Sequence, residues 1–169
     1  MKENLKLKNI IFIVVLVTAA AGLSGASFTG WGYKALDGDS VTVAISTKKI
    51  ISVELDGIDC PELEQDFGKE AQDFTKNFIY KKKVKVEIAA YESKNKVKGR
   101  IFLEGKDLSL ALVEAGLAWY DKKNSSDKKL GKAQKKAKKA KKGLWSKEKP
   151  TPPWIFRASQ EKKTEKSEI

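Results

Sequence analysis

At 169 residues the chain is long enough to bury one hydrophobic core with short appendages. It has no histidine and a single cysteine, Cys60, which excludes an intramolecular disulfide, the usual zinc sites, and Cys–His or Ser–His–Asp catalysis. Of the net charge of +12, +10 falls in residues 121–149 and −1 in residues 27–120, so a near-neutral body carries a cationic flank of the kind that meets a polyanion.

Lys2, Lys6 and Lys8, the apolar run 10–23 and the small residues Ser24, Gly25 and Ala26 read as a signal peptide, residues 1–26, cleaved after Ala26. Export to the periplasm or the medium follows. An uncleaved N-terminal membrane anchor is the alternative, although the apolar run is short of the roughly 20 residues a spanning helix needs. Residues 28–35 lead into Asp37-Gly38-Asp39, a turn between two β-type runs. In 40–46, Val41, Val43 and Ile45 share one face. In 49–58, Ile51, Val53 and Leu55 point inward, which puts Glu54 and Asp56 on the other face. Asp59-Cys60-Pro61 stops that strand, because proline cannot donate to a ladder. A helix over about 68–80 carries the stripe Phe67, Ala71, Phe74 and Phe78. Strands 82–91 and 96–105 follow, then a helix over 107–117 that ends at Gly116.

A lysine-rich helix is predicted over 126–142, with Ser126 as N-cap, Gly143 just past its end, and a thin stripe of Leu130, Ala133, Ala137 and Ala140. Residues 150–156 read as an extended apolar strap and 158–169 as a disordered tail, so the folded domain spans 27–157. Five short strands with a helix after the third predict an α+β, mainly β, fold: a five-stranded OB-type barrel with about three helices packed outside.

The segments DGDSV, GIDCPE, FGKEA, GRIFLEGKDL, ALVEAGLAWY and GLWS…PPW, running in order from about Tyr33 to Trp154, resemble the thermonuclease (micrococcal nuclease) family. The resemblance implies the same OB barrel and a calcium-dependent hydrolysis of phosphodiester bonds in DNA and RNA. It implies Asp39 and Asp59 as calcium ligands, assisted by the backbone carbonyl of Cys60, and Glu62 as the residue that orients or activates the attacking water. These residue types suit that chemistry, since a hard dication takes oxygen ligands and a carboxylate beside a metal-adjacent water can act as its base. On the residues alone, 37–39 and Asp59 are equally readable as turn formers.

The family pattern also places two arginines on the reacting phosphate, and here this chain departs from it. The strand that usually reads VRLxGIDxPE reads VELDGIDCPE, so the first arginine position holds Glu54. Ungapped alignment on GRIFLEG puts Lys96 at the second, with Arg100 at a more ordinary arginine. Lysine keeps the charge but loses the planar fork. Glutamate reverses the charge, at a cost of several kcal/mol for unit charges about 4 Å apart. Weak activity is expected, with Lys96 or Arg100 recruited to the phosphate, or with Glu54 joining the calcium site. The alternative is a catalytically silent module that binds nucleic acid or another polyanion through Lys128, Lys129, Lys132, Lys135, Lys136 and Lys139. No obligate protein partner is implied. Contact of the lysine helix with anionic lipid is a third reading, weakened because its thin alanine stripe is needed against the barrel.

Overall fold

Alternating burial lays down the staves of a barrel. The computed structural model describes residues 25–167, with side chains through Lys162; the predicted leader lies outside them except for its last two residues. Strands β1 (Ser27–Ala35), β2 (Ser40–Ser46) and β3 (Lys49–Leu55) form an antiparallel meander. A short β4 (Ile58–Asp59) and helix α1 (Gly68–Ile79) follow, then the antiparallel pair β5 (Lys83–Ser93) and β6 (Lys96–Leu103). β5 pairs with β1, and β6 closes the barrel by parallel pairing with β3, Val53 standing opposite Val97. The result is a closed five-stranded OB-like barrel, as the strand pattern predicts.

Val41, Val43, Val53, Leu55, Val84, Val86 and Ile101 fill the barrel and are essentially inaccessible. Each such side chain contributes roughly 1.5–3 kcal/mol by leaving water. Ile45, predicted on the same inward face as Val41 and Val43, is exposed, because the β2–β3 register shifts between Ala44 and Ser46. After the short β7 (Lys106–Asp107), helix α2 (Leu108–Ala115) buries Leu108, Leu112 and Val113 and ends at Gly116 in the left-handed conformation. β8 (Trp119–Tyr120) then pairs with β4.

Three local expectations change. In α1 the fully buried line is Ala71, Thr75 and Ile79, with Phe67, Phe74 and Phe78 partly buried beside it; Thr75 tolerates burial because its hydroxyl bonds the Gly38 carbonyl. The lysine-rich helix α3 runs Lys128–Lys139, shorter than the predicted 126–142. Its N-cap is Asp127, not Ser126, and the Asp127 side chain accepts the Lys129 N–H at 2.7 Å. It stops early in a Schellman arrangement: Lys141 takes the left-handed position, and the Lys142 and Lys141 N–H groups reach the carbonyls of Ala137 and Lys138. Gly143 instead opens a 3-10 turn, Gly143–Ser146. Third, a fourth helix, α4 (Pro153–Ser167), takes in the second half of the predicted strap and the described part of the predicted tail, whose last two residues lie outside the described ones. Proline is read as a breaker within a sequence, yet it is well placed in a helix's first turn, where its missing N–H has no partner to lose.

Candidate active site

Two turns make the site floor. In the β1–β2 turn, Asp37 Oδ1 accepts the backbone N–H groups of Asp39 (3.0 Å) and Ser40 (2.6 Å), so this carboxylate shapes the turn itself. Gly38 is there for close approach: a Cβ would stand 2.6 Å from Cys60 Cβ and 2.8 Å from Ala71 Cβ. Helix α1 pins the turn, with Thr75 donating to the Gly38 carbonyl and Gln72 Nε2 to the Leu36 carbonyl at 2.7 Å. Asp39 is thereby free to reach the second turn, where its Oδ2 accepts the Cys60 N–H at 2.6 Å.

That second turn follows β4, which sets Asp59 opposite Trp119. Glu62 is held by Gln65 from both sides: the Glu62 N–H donates to Gln65 Oε1, and the Gln65 N–H donates to the Glu62 carbonyl, each at 2.9 Å. Gly68 completes the packing, since any Cβ there would collide with the Glu62 carbonyl oxygen. Asp39, Asp59 and Glu62 all line one cleft of about 1160 Å³. Burial, and then the like charges of Asp37 and Asp59, push the Asp39 carboxyl well above its usual range, against the Cys60 N–H, which lowers it. Cys60 is buried, and burial pushes its thiol up as well, which disfavours the thiolate a nucleophile needs.

This cluster is the electrostatic setting a cation relieves, and its donors are oxygens suited to a hard dication. Among the described residues no group of three or more His, Cys, Asp or Glu side chains stands in metal-holding geometry. A cation here would rest on Asp39, Asp59, the Cys60 carbonyl and water, a set that fits calcium or magnesium and not zinc.

The cleft has a cation of its own, from the far end of the chain. Arg157 on α4 sends Nη2 to Asp59 Oδ2 (2.8 Å) and Nη1 to both Asp59 Oδ1 (3.2 Å) and Glu62 Oε1 (2.6 Å). The bond to Asp59 raises its already high pKa further; burial opposes this, and the bond to Glu62 adds to the rise, so it stays charged. Trp154, also on α4, lines the cleft and meets Trp119 edge to face at 5.6 Å.

Comparison with known proteins matches residues 52–147 to the model of the staphylococcal nuclease homologue family. An uncharacterized endonuclease of Escherichia coli is 32% identical over 133 residues, covering 78% of this chain and 86% of that protein. The chain belongs to the staphylococcal nuclease family. An uncharacterized endonuclease of Haemophilus influenzae is 27% identical over 148 residues, 88% of this chain and 83% of its own. A staphylococcal-like nuclease of Arabidopsis thaliana is 30% identical over 112 residues, 66% of this chain and 35% of its own.

For a member of this family, the basic side of the site is arranged differently from the sequence expectation. Glu54 lines the cleft, but its carboxylate is paired with Lys96 at 3.0 Å, and Lys96 also meets Glu92 at 2.8 Å. Those bonds, first from Glu92 and then from Glu54, raise the Lys96 pKa. Lys96 is not among the residues lining the cleft. Arg100 does not line the cleft: it is bonded to Asp107 and to Asp127 (2.7 Å) and ties β6 to the N-terminus of α3. Burial opposes its charge, and the bonds from Asp127 and Asp107 outweigh that effect and raise its pKa. Lys96, Lys98 and Arg100 do share one face of β6, yet each meets a different carboxylate, Lys98 standing 4.0 Å from Asp56.

Lys128, Lys129, Lys132, Lys135, Lys136 and Lys139 are all on the solvent side of α3, while Leu130, Ala133 and Ala137 are buried; Ala140, expected in that stripe, is exposed beyond the helix end. None of the six lines the cleft. Lys122 and Lys123 do, in the loop that joins β8 to α3. Sequence reading missed the place of Arg157 and Trp154 in the cleft. One signal was available: of 34 basic residues only two are arginines, and one of them follows directly on the PPWIF segment.

Proposed function

We propose that this chain is an exported, calcium-dependent endonuclease that hydrolyses phosphodiester bonds of DNA or RNA, slowed by the absence of arginine at positions 54 and 96. The observation that carries the reading is the Asp39–Cys60 hydrogen bond, which joins the two acidic turns so that Asp39, Asp59 and Glu62 open into a single cleft. Nuclease names among the relatives support the same class.

Asp39, Asp59 and the Cys60 carbonyl would hold the calcium ion, which when bound supplies positive charge against the phosphoryl oxygens and lowers the pKa of an adjacent water. Glu62, fixed by Gln65, takes a proton from the attacking water. As the new P–O bond forms, the bond to the leaving oxygen breaks, and that oxygen takes a proton from solvent. The products are a phosphomonoester end and a free hydroxyl end. Lys122, Lys123 and the solvent-facing lysines of α3 attract the polyanion without reading bases.

The test is cleavage of single-stranded DNA and RNA by the protein with calcium, with chelator, and after Glu62→Gln. Calcium-dependent cleavage lost in the variant supports the reading. Absence of cleavage, with salt-sensitive retention of the nucleic acid, supports a second reading, a binding module on the same fold. That reading rests on the capture of Lys96 by Glu54 and Glu92 and on the charge concentrated in residues 121–149.

A further inference from the structure

We propose that Arg157 is the residue that grips the scissile phosphate in this site, a role that rests on the nuclease reading above. The barrel offers no other guanidinium: the chain has two arginines, and Arg100 is held by Asp107 and Asp127 away from the cleft. Lys96 is held by Glu54 and Glu92. Lys98 lines the cleft, but as a point charge 4.0 Å from Asp56, without the fork that fits two phosphate oxygens at once.

Arg157 sits above the acidic floor on its open side. Its side chain is 47% exposed, against 21% for Asp59 and 31% for Glu62, so an anion entering from solvent meets the guanidinium first. Three hydrogen bonds engage it with the floor, and its remaining N–H groups have no partner among the described residues. Because Nη1 is shared between Asp59 and Glu62, Arg157 can leave Asp59 for a phosphate oxygen while staying bonded to Glu62, which keeps the fork beside the residue that activates water.

The contact is built, and differs in this from an incidental surface ion pair. Gln65 Oε1 accepts the Glu62 N–H while Gln65 Nε2 donates to the Thr151 carbonyl at 3.0 Å, so one side chain joins the Glu62 turn to the lead-in of α4. Pro153 is buried, and Trp154 packs on Trp119, which in turn packs on Trp145 at 4.5 Å. The segment that carries Arg157 is thus fastened at two points before the arginine reaches the cleft.

The experiment compares the wild-type chain with Arg157→Gln and Arg157→Lys. The probe is a phosphorothioate-linked thymidine dinucleotide, too short to reach α3 while occupying the cleft. Its binding is followed by calorimetry with calcium and with chelator, alongside cleavage of single-stranded DNA and the thermal midpoint of each variant. The expected result is a loss of about tenfold or more in probe affinity for Arg157→Gln, the scale of a charge-assisted hydrogen bond, only partial recovery with lysine, and an unchanged midpoint. Cleavage should fall about 10²–10³-fold, as for loss of one transition-state donor. Probe affinity equal to wild type in Arg157→Gln, cleavage that rises, or a wild-type chain that does not bind the probe overturns the proposal; a rise would make Arg157 a plug on the floor carboxylates. If the wild type binds the probe through Arg157 yet cleaves nothing, the nuclease reading fails and the phosphate grip stands. If Arg157→Gln cleaves like wild type, the nuclease reading stands and the grip fails.

Discussion

Lys96 Nζ lies 3.0 Å from Glu54 Oε2, across the seam where β3 and β6 run parallel and close the barrel. Two departures that look independent in the sequence are therefore one feature. The lysine at one position is taken up by the glutamate at the other and by Glu92, so no cation of the pair is left over for a phosphate. Both side chains are more than two-fifths exposed, so the pair adds little to stability.

Glu54→Arg tests this directly. Lys96 keeps Glu92 as a partner, so the barrel tolerates the change, and a guanidinium enters the cleft wall. Calcium-dependent cleavage should rise by about tenfold or more, the scale on which a single transition-state donor acts. Steady-state kinetics on single-stranded DNA give the answer, and a rate at or below wild type counts against the assignment of that wall to the phosphate.

Glu62→Gln keeps the shape and removes the base. Its backbone bonds to Gln65 do not involve the side chain, so the turn persists. Cleavage should drop about 10²–10⁴-fold, the usual worth of a positioned proton acceptor, with the calcium dependence of the residual rate preserved. Single-turnover rates measure it.

Arg100 is a structural residue, and its signature is acid sensitivity. Its bond lowers the Asp127 pKa, the larger effect, against a smaller opposing effect of burial. The folded value lies below the unfolded one of about 3.9, so the unfolded chain takes up the proton first as pH falls. The stabilisation from this pair is complete above about pH 5 and is lost as pH drops through the folded value. Arg100→Met should lower stability by about 3 kcal/mol near neutrality, because it leaves two partly buried carboxylates without their partner. It should also flatten this acid limb. Urea unfolding at pH 7 and pH 3 measures both effects.

The lysines of α3 should announce themselves through salt. Neutralising Lys132, Lys135 and Lys139 together, each to glutamine, should make the slope of log affinity for single-stranded DNA against log salt shallower by about 0.7 for each phosphate left without its lysine. Filter binding across a salt series is sufficient. An unchanged slope places the polyanion elsewhere.

The parts of the molecule that could be read from the sequence are those whose cause is local or carried by a motif. Alternation in 40–46 and 49–58 predicts β2 and β3 with Val41, Val43, Val53 and Leu55 inside, and the DGD and IDCPE turns predict the acidic floor. Long-range pairings escaped. Nothing in the strand 96–103 announces that three basic residues on one face will share out five carboxylates, because those carboxylates sit on β3, β5, the β3–β4 turn, β7 and the cap of α3. Arg157 was hidden twice over. Its partners lie 95 and 98 positions upstream, and the prolines before it disguised a helix as an extended strap.

That separation makes the contact depend on the fold between its partners. Closing a loop costs entropy that grows with its length, so the contact between Arg157 and the Glu62 turn costs more to form before the elements between them have folded than after. The matched family segment ends at Lys147, before α4 begins. A protein shortened from its C-terminal side to Lys147 would carry every acidic residue of the cleft and no arginine within it.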